Sequence, residues 1–210
     1  MIFYLLRHGR SQANEAGLVT GTPTDVLVPE GFAQAVRMGK WLDEACLVAE
    51  RHVTSQWERA QQTALSLVPT AEWQVDVRVG ETDAGSVAGW RLTRLLSEGP
   101  DFYADPGNRY PGGESHRDMN ERVLAWFREQ LEDPCGALML VSHSGPISCI
   151  LQHVLGVGME RFPMLLPTHA SLSIIEMRHG AAGWQGRLLG FSICPPLSMY
   201  TGDVRLQSGA

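Results

Sequence analysis

The chain has 210 residues, 44% hydrophobic and 19% charged, with a net charge of −6. That balance suits one globular domain with a full core and excludes a disordered chain. It also excludes a general binder of nucleic acid or anionic membrane, which needs basic surface; a small anionic substrate senses only a few local arginines.

The first predicted strand is Ile2–Leu6, an apolar stretch too short, and without a preceding basic region, for a signal peptide or a membrane span. It runs straight into Arg7-His8-Gly9-Arg10-Ser11. An imidazole flanked by guanidiniums repels a metal ion but suits a phosphate, which arginine grips through paired planar hydrogen bonds. Next, Gly31–Cys46 carries Phe32, Ala35, Val36, Gly39, Leu42 and Ala45 close to a 3.6-residue period, the pattern of a helix. A strand around His52–Thr54 leads into a helix over Trp57–Leu67, closed by Val68-Pro69. A strand at Val75–Val79 precedes Glu81. The stretch 80–113 is rich in glycine and proline, with one helix near Trp90–Ser97, and reads as a lid or binding loop. Ser115 followed by Asp118 marks the start of a helix running to Leu131. The strand Ala137–Val141 hands over to Ser142-His143-Ser144-Gly145, and Ile147–Leu155 is apolar enough for a buried helix ending at Gly156. Strands at Ser171–Met177 and Arg187–Ile193 follow.

Strands alternating with helices predict a three-layer α/β/α sandwich with a mostly parallel central sheet and a small lid insertion. The expected organisation is one α/β domain over 1–195, a lid at about 82–114, and a polar tail over 196–210. Cys46, Cys135, Cys149 and Cys194 are scattered, with no metal-ligand spacing, and are expected to be reduced thiols of a cytoplasmic protein, mostly packed as small apolar groups. Trp41, Trp73 and Trp184 fit either the core or a homodimer interface.

Four polar segments stand where a strand hands over to a loop: Arg7-His8-Gly9 with Ser11 and Asn14, Ser55 to Ala64, Glu81 with Gly85 and Gly89, and Ser142 to Gly145. Strand tips at one edge of an α/β sheet are where such folds hold ligands. Together they resemble the histidine phosphatase superfamily, the phosphoglycerate mutase-like family, and its phosphatase branch in particular. Arg7-His8-Gly9 is similar to the family's R-H-G signature, Ser55–Ala64 to its S-x-x-x-R-A-x-Q-T-A segment, Ser142-His143 to its second histidine segment, and Pro111-Gly112-Gly113-Glu114-Ser115, with Arg122 on the next helix, to its P-x-G-E-S stretch.

The resemblance implies a phosphomonoesterase that needs no cofactor and no metal and acts on a small phosphorylated substrate. His8 is then the nucleophile, Arg7 and Arg59 the phosphate clamps, Glu81 the general acid and base, and His143, protonated beside a dianion, a third clamp. Phosphoryl transfer asks for this set, since it depends on in-line positioning and charge neutralisation. Gly9 lets backbone approach closely, Asn14 and the Ser144 amide offer further donors to the phosphate, and Gly21 joins the binding set. Arg10 stands where many relatives are acidic or carry threonine, and is a candidate for substrate choice or for solvent. His169 stands where relatives often carry asparagine, and fits a packed or supporting histidine. His52, His116, His153 and His179 are expected to be structural or surface residues, and Arg91, Arg94, Arg109 and Arg117 a solvated set. Two alternatives stay open. Phosphoglycerate mutase-type transfer is disfavoured by Thr82-Asp83-Ala84 where mutases usually have Arg-His-Tyr. A non-catalytic phosphate-binding module is disfavoured because the acid is present along with the clamps.

Overall fold

The structure, a computed structural model, describes residues 1–196. Six strands form one sheet: β1 Ile2–Arg7, β2 Arg51–Thr54, β3 Trp73–Val75, β4 Ala137–Ser142, β5 Leu172–Gly180 and β6 Gly183–Ile193, in the order β3-β2-β4-β1-β5-β6. The first four run parallel, while β5 pairs antiparallel with β1 and β6 antiparallel with β5. The expected α/β class and central sheet are present, with an antiparallel hairpin completing one edge.

Layering follows from the alternation of side chains along a strand. On β1, Phe3 and Leu5 face one cluster, with Trp126 and Phe127 of α5 (His116–Glu132) and Ile147, Ile150 and Leu151 of α6 (Ser144–Val154). Tyr4 and Leu6 face the other, with Met38 and Leu42 of α2 (Pro29–Glu44) and Ala60, Ala64 and Leu67 of α3 (Glu58–Leu67). A strand buried on both faces reads as a continuous apolar run, as Phe3 to Leu6 does, and each such side chain contributes about 1.5–3 kcal/mol. Trp41 and Trp73 pack on the second cluster and Trp184 on the first.

Two boundaries differ from expectation for local reasons. α2 begins at Pro29, whose fixed φ suits a first helical turn. The expected strand at Val75–Val79 ends at Val75, because the Asp76 carboxylate accepts from Arg78 N at 2.9 Å and folds Val77–Val79 into a 3-10 turn. Two short helices, α1 Gln12–Ala16 and α4 Leu92–Glu98, flank the cleft region. The lid carries a small core of its own, Val87, Leu95 and Tyr110 with Trp90 and Phe102 packed against them. It is tied to the loop after α1 through Val19 N to Trp90 O at 2.9 Å and Leu92 N to Gly17 O at 3.0 Å.

The cysteines are unpaired as expected of thiols but are less packed than expected. Cys149 is buried, Cys135 is half-buried, and Cys46 and Cys194 are exposed; all four are unpaired. No helix among the described residues is long and apolar enough to cross a membrane. Beyond its first residue, the tail expected over 196–210 lies outside the described residues.

Candidate active site

Parallel register puts the decisive residues at one level. Leu6 pairs with Val141 and Val141 with Thr54, so His8, His143 and Ser55 all leave the sheet at the same edge. His8 is fully buried and held at both ends of its ring. Nδ1 lies 2.7 Å from the Gly9 carbonyl, which can only accept, so the proton stands on Nδ1. Nε2 accepts from Arg59 Nε at 3.0 Å. Burial, then Arg59, His143 and Arg7, hold the His8 pKa well below 6.5. The ring is a neutral imidazole with its lone pair aimed at a guanidinium.

Arg59, 2% exposed, is fixed from three sides. Besides His8, it donates through Nη1 to Asp25 Oδ2 at 3.1 Å and lies over the Trp57 ring at 4.3 Å. Asp25 is in turn held by Ala13 N, which donates to Oδ1 at 2.9 Å. Burial lowers the Arg59 pKa, with Glu81 and Asp25 opposing it. Arg7 donates to Pro167 O at 2.7 Å and to His169 Nε2 at 3.0 Å, which orients its fork, and its Nε is buried without a hydrogen-bond partner. Burial pulls Arg7 down to about 10, with Glu81 opposing and Arg59 adding to the shift, so it stays cationic at neutral pH.

His143 lies with its ring centroid 5.0 Å from that of His8 and is itself fully buried. Its Nε2 meets Ser55 Oγ at 2.7 Å, and that hydroxyl also accepts from Trp57 N at 3.3 Å. With two lone pairs and one proton, that hydroxyl can either donate to Nε2 or accept from it, while Nδ1 is a buried atom with no partner. Burial, Arg59, Arg7 and Arg122 hold its pKa well below 6.5; the expected cation is one that forms beside a bound dianion.

Glu81 lies across the cleft from the cations. Its Oε1 accepts from Thr82 N at 2.9 Å, and its Oε2 is approached by Ser144 Oγ and Gly145 N, each at 3.4 Å. The first turn of α6, expected to serve the phosphate through Ser144, is turned toward this carboxylate. A Cβ on Gly145 would collide with Glu81 Oε1, so glycine is what lets the acid come this close. Behind Glu81 sits a group whose role the P-x-G-E-S resemblance did not specify. Arg122 donates to the carbonyls of Arg78 at 2.7 Å, Gly80 at 2.8 Å and Glu81 at 2.9 Å, and pairs with Glu114.

The remaining expected residues divide. Asn14 and Ser144 line the cleft, although Asn14 Oδ1 is occupied by Ser11 N and Oγ, which leaves only its NH2 for an anion. Arg10 stays out of the cleft, exposed and 3.6 Å from Glu15, because its backbone is drawn to Gln34 on α2. Gly9 serves close approach, but what approaches is the backbone of Gly31. Gly21, at φ 74°, is buried, and a Cβ there would press on Ala13 and on Arg59 Nη1, so it supports Arg59 and does not line the cleft. His169 is the supporting histidine, pulled to about 4 by burial and then by Arg7 and Arg10. Arg94, Arg109 and Arg117 pair with Glu98, Asp118 and Asp105 as a solvated set would. His116, expected to be structural or surface, is packed on Tyr103 at 5.7 Å and also lines the cleft. Asp25 was missed altogether, since nothing in its spacing from Arg59 announces a pair. Among the described residues, no three His, Cys, Asp or Glu side chains are grouped to hold a metal ion.

The chain is 30% identical over 184 residues to 6-phosphofructo-2-kinase/fructose-2,6-bisphosphatase 4 of Homo sapiens. That match covers 84% of this chain and 38% of the relative, so the chain spans well under half of that protein's length. It is 28% identical over 193 residues to a probable phosphoglycerate mutase GpmB of Salmonella paratyphi C, covering 86% of this chain and 88% of that one. A mycobacterial glucosyl-3-phosphoglycerate phosphatase superposes with a TM-score of 0.78 at 24% identity, covering 91% of this chain and 98% of that one, a likeness of fold. The family model for histidine phosphatase superfamily (branch 1) matches residues 3–188, the span that holds every residue of this cleft, and the chain belongs to that superfamily.

Proposed function

We propose that this protein is a metal-independent phosphomonoester hydrolase working through a phosphohistidine on His8. The observation that carries the reading is the state of that ring: buried, neutral, with Nδ1–H locked on the Gly9 carbonyl and Nε2 presented to Arg59. An entering phosphate takes over the Arg59 Nε–H and frees the lone pair, while Arg7, Arg59 and the Nδ1–H of His143 hold the non-bridging oxygens. Nε2 then bonds to phosphorus as the ester P–O bond breaks, and Glu81 gives its proton to the leaving oxygen. In the second half, Glu81 takes a proton from water, the water oxygen bonds to phosphorus, and the N–P bond breaks to release phosphate. General acid–base help of this kind contributes about 10²–10⁴ in rate. Two buried guanidiniums supply the charge neutralisation that a metal supplies elsewhere. The substrate is a small phosphorylated metabolite, and the unpaired thiols support a cytoplasmic setting.

The test is turnover of p-nitrophenyl phosphate in EDTA, with acid-labile, base-stable label trapped on the protein. His8→Ala is expected to cost at least about 10³-fold. Turnover that survives that change removes the nucleophile, and turnover lost in EDTA removes the metal-free reading.

A further inference from the structure

The cleft, about 350 Å³, is divided by chemistry. Its floor holds the two arginines Arg7 and Arg59, and no other lysine or arginine among the described residues lines it. The outer wall is Leu18, Val19, Tyr103, His116, Phe162 and Leu166. His116 is the hub of the aromatic part, 5.7 Å from Tyr103, 5.8 Å from Tyr110 and 5.0 Å from Phe162. Burial lowers its pKa, with Glu81 and Glu114 opposing, so this hub is uncharged at neutral pH. The tyrosine hydroxyls share one hydrogen bond at 3.0 Å, which uses one of their two O–H groups. At the mouth, Leu92 and Leu166 remain 39% and 52% exposed, apolar surface that a ligand would cover.

A phosphate bound on the floor sends its ester oxygen past Glu81 and its leaving group against this wall. A second phosphate or a carboxylate there would be stripped of water beside a carboxylate and apolar rings, with no cation to meet it. A flat apolar group would instead gain ring contacts and displace water. Resting on the hydrolase reading above, we propose that the wall is a leaving-group site for uncharged esters with an aromatic or similarly flat apolar face, and that it rejects esters carrying a second anion.

Benzyl phosphate and 3-phosphoglycerate, both esters of ordinary alcohols, are compared by kcat/KM, and benzylphosphonate and phosphonoacetate by calorimetric binding. The expected result is a preference of at least about 10-fold for the benzyl member of each pair. Phe162→Ala should shrink that preference at least about fivefold. Leu166→Arg, at an exposed site that folding tolerates, should move it toward 3-phosphoglycerate. Equal kcat/KM for the two esters, or a ratio unmoved by both substitutions, overturns the leaving-group site and leaves the hydrolase standing. Tighter binding of benzylphosphonate with no ester turned over upholds the site and sinks the hydrolase.

Discussion

The floor of the cleft and its outer wall are built by different rules. The floor is made of buried residues at the tips of parallel strands and, with Arg59, in the first turn of α3, where backbone register fixes the tips: His8 N donates to Ser142 O at 2.9 Å and Ser55 N to Val141 O at 3.2 Å. The wall is made of lid and loop residues, with His116 at the start of α5, whose places depend on one another's rings, Phe102 on Tyr110 at 4.5 Å and His116 on Phe162 at 5.0 Å. On the proposed reading, the reaction that must not vary sits on the rigid scaffold, and substrate choice sits on loops that tolerate change.

That contrast can be broken most sharply at the floor. Arg59→Ala should lower kcat/KM by about 10²–10³, the scale of removing an oxyanion donor, and Arg59→Lys should recover little. A point charge cannot meet Asp25 and His8 in the fork's geometry. Steady-state kinetics with p-nitrophenyl phosphate checks both; a lysine variant near wild type would mean that charge alone suffices.

Arg122 lies where floor and lid meet, and Arg122→Ala should cost both activity and stability. Losing the pair with Glu114 and three carbonyl contacts should cost about 3 kcal/mol in denaturant unfolding. Because Glu81 would then be misplaced, alkyl phosphates, whose leaving oxygen needs its proton, should lose about tenfold more in kcat/KM than p-nitrophenyl phosphate. An equal loss for both esters would reduce Arg122 to a purely structural role.

A smaller effect follows from the histidines. His8, His143 and His169 are all held below 6.5 in the fold, by burial first. As pH falls through 6.5 the unfolded chain takes up protons that the folded chain refuses, so stability is full above that pH and drains away below it, for His169 down to about 4. Thermal unfolding should show Tm falling steadily from pH 7 to pH 5, and His169→Asn should flatten that slope. A flat Tm would mean that these rings charge freely in the fold. The smallest expected effect is at the exposed Arg10: Arg10→Ala should leave kcat/KM within about twofold, as surface changes usually do.

How legible each part was follows the same division. The strand ends before His8 and His143 could be read because apolar runs place them, and His8, Arg59, Glu81 and His143 were legible as a set through the resemblance to the histidine phosphatase superfamily. Local competition moved what the pattern could not price, as when Asp76 ended β3 early. Asp25 stayed hidden because its pairing with Arg59 depends on how the loop after α1 folds back, a long-range event with no periodic trace. His116 stayed hidden because ring packing in a glycine- and proline-rich lid has no spacing rule.

The Arg122 guanidinium bridges Glu114 at the base of the lid to the carbonyls of Gly80 and Glu81. On the hydrolase reading, sequence drift that refashions the lid is therefore felt at once by Glu81, the proposed proton donor. If that reading holds, lineages that swap lid rings wholesale would still have to keep this staple, or lose the proposed hydrolysis together with the old specificity.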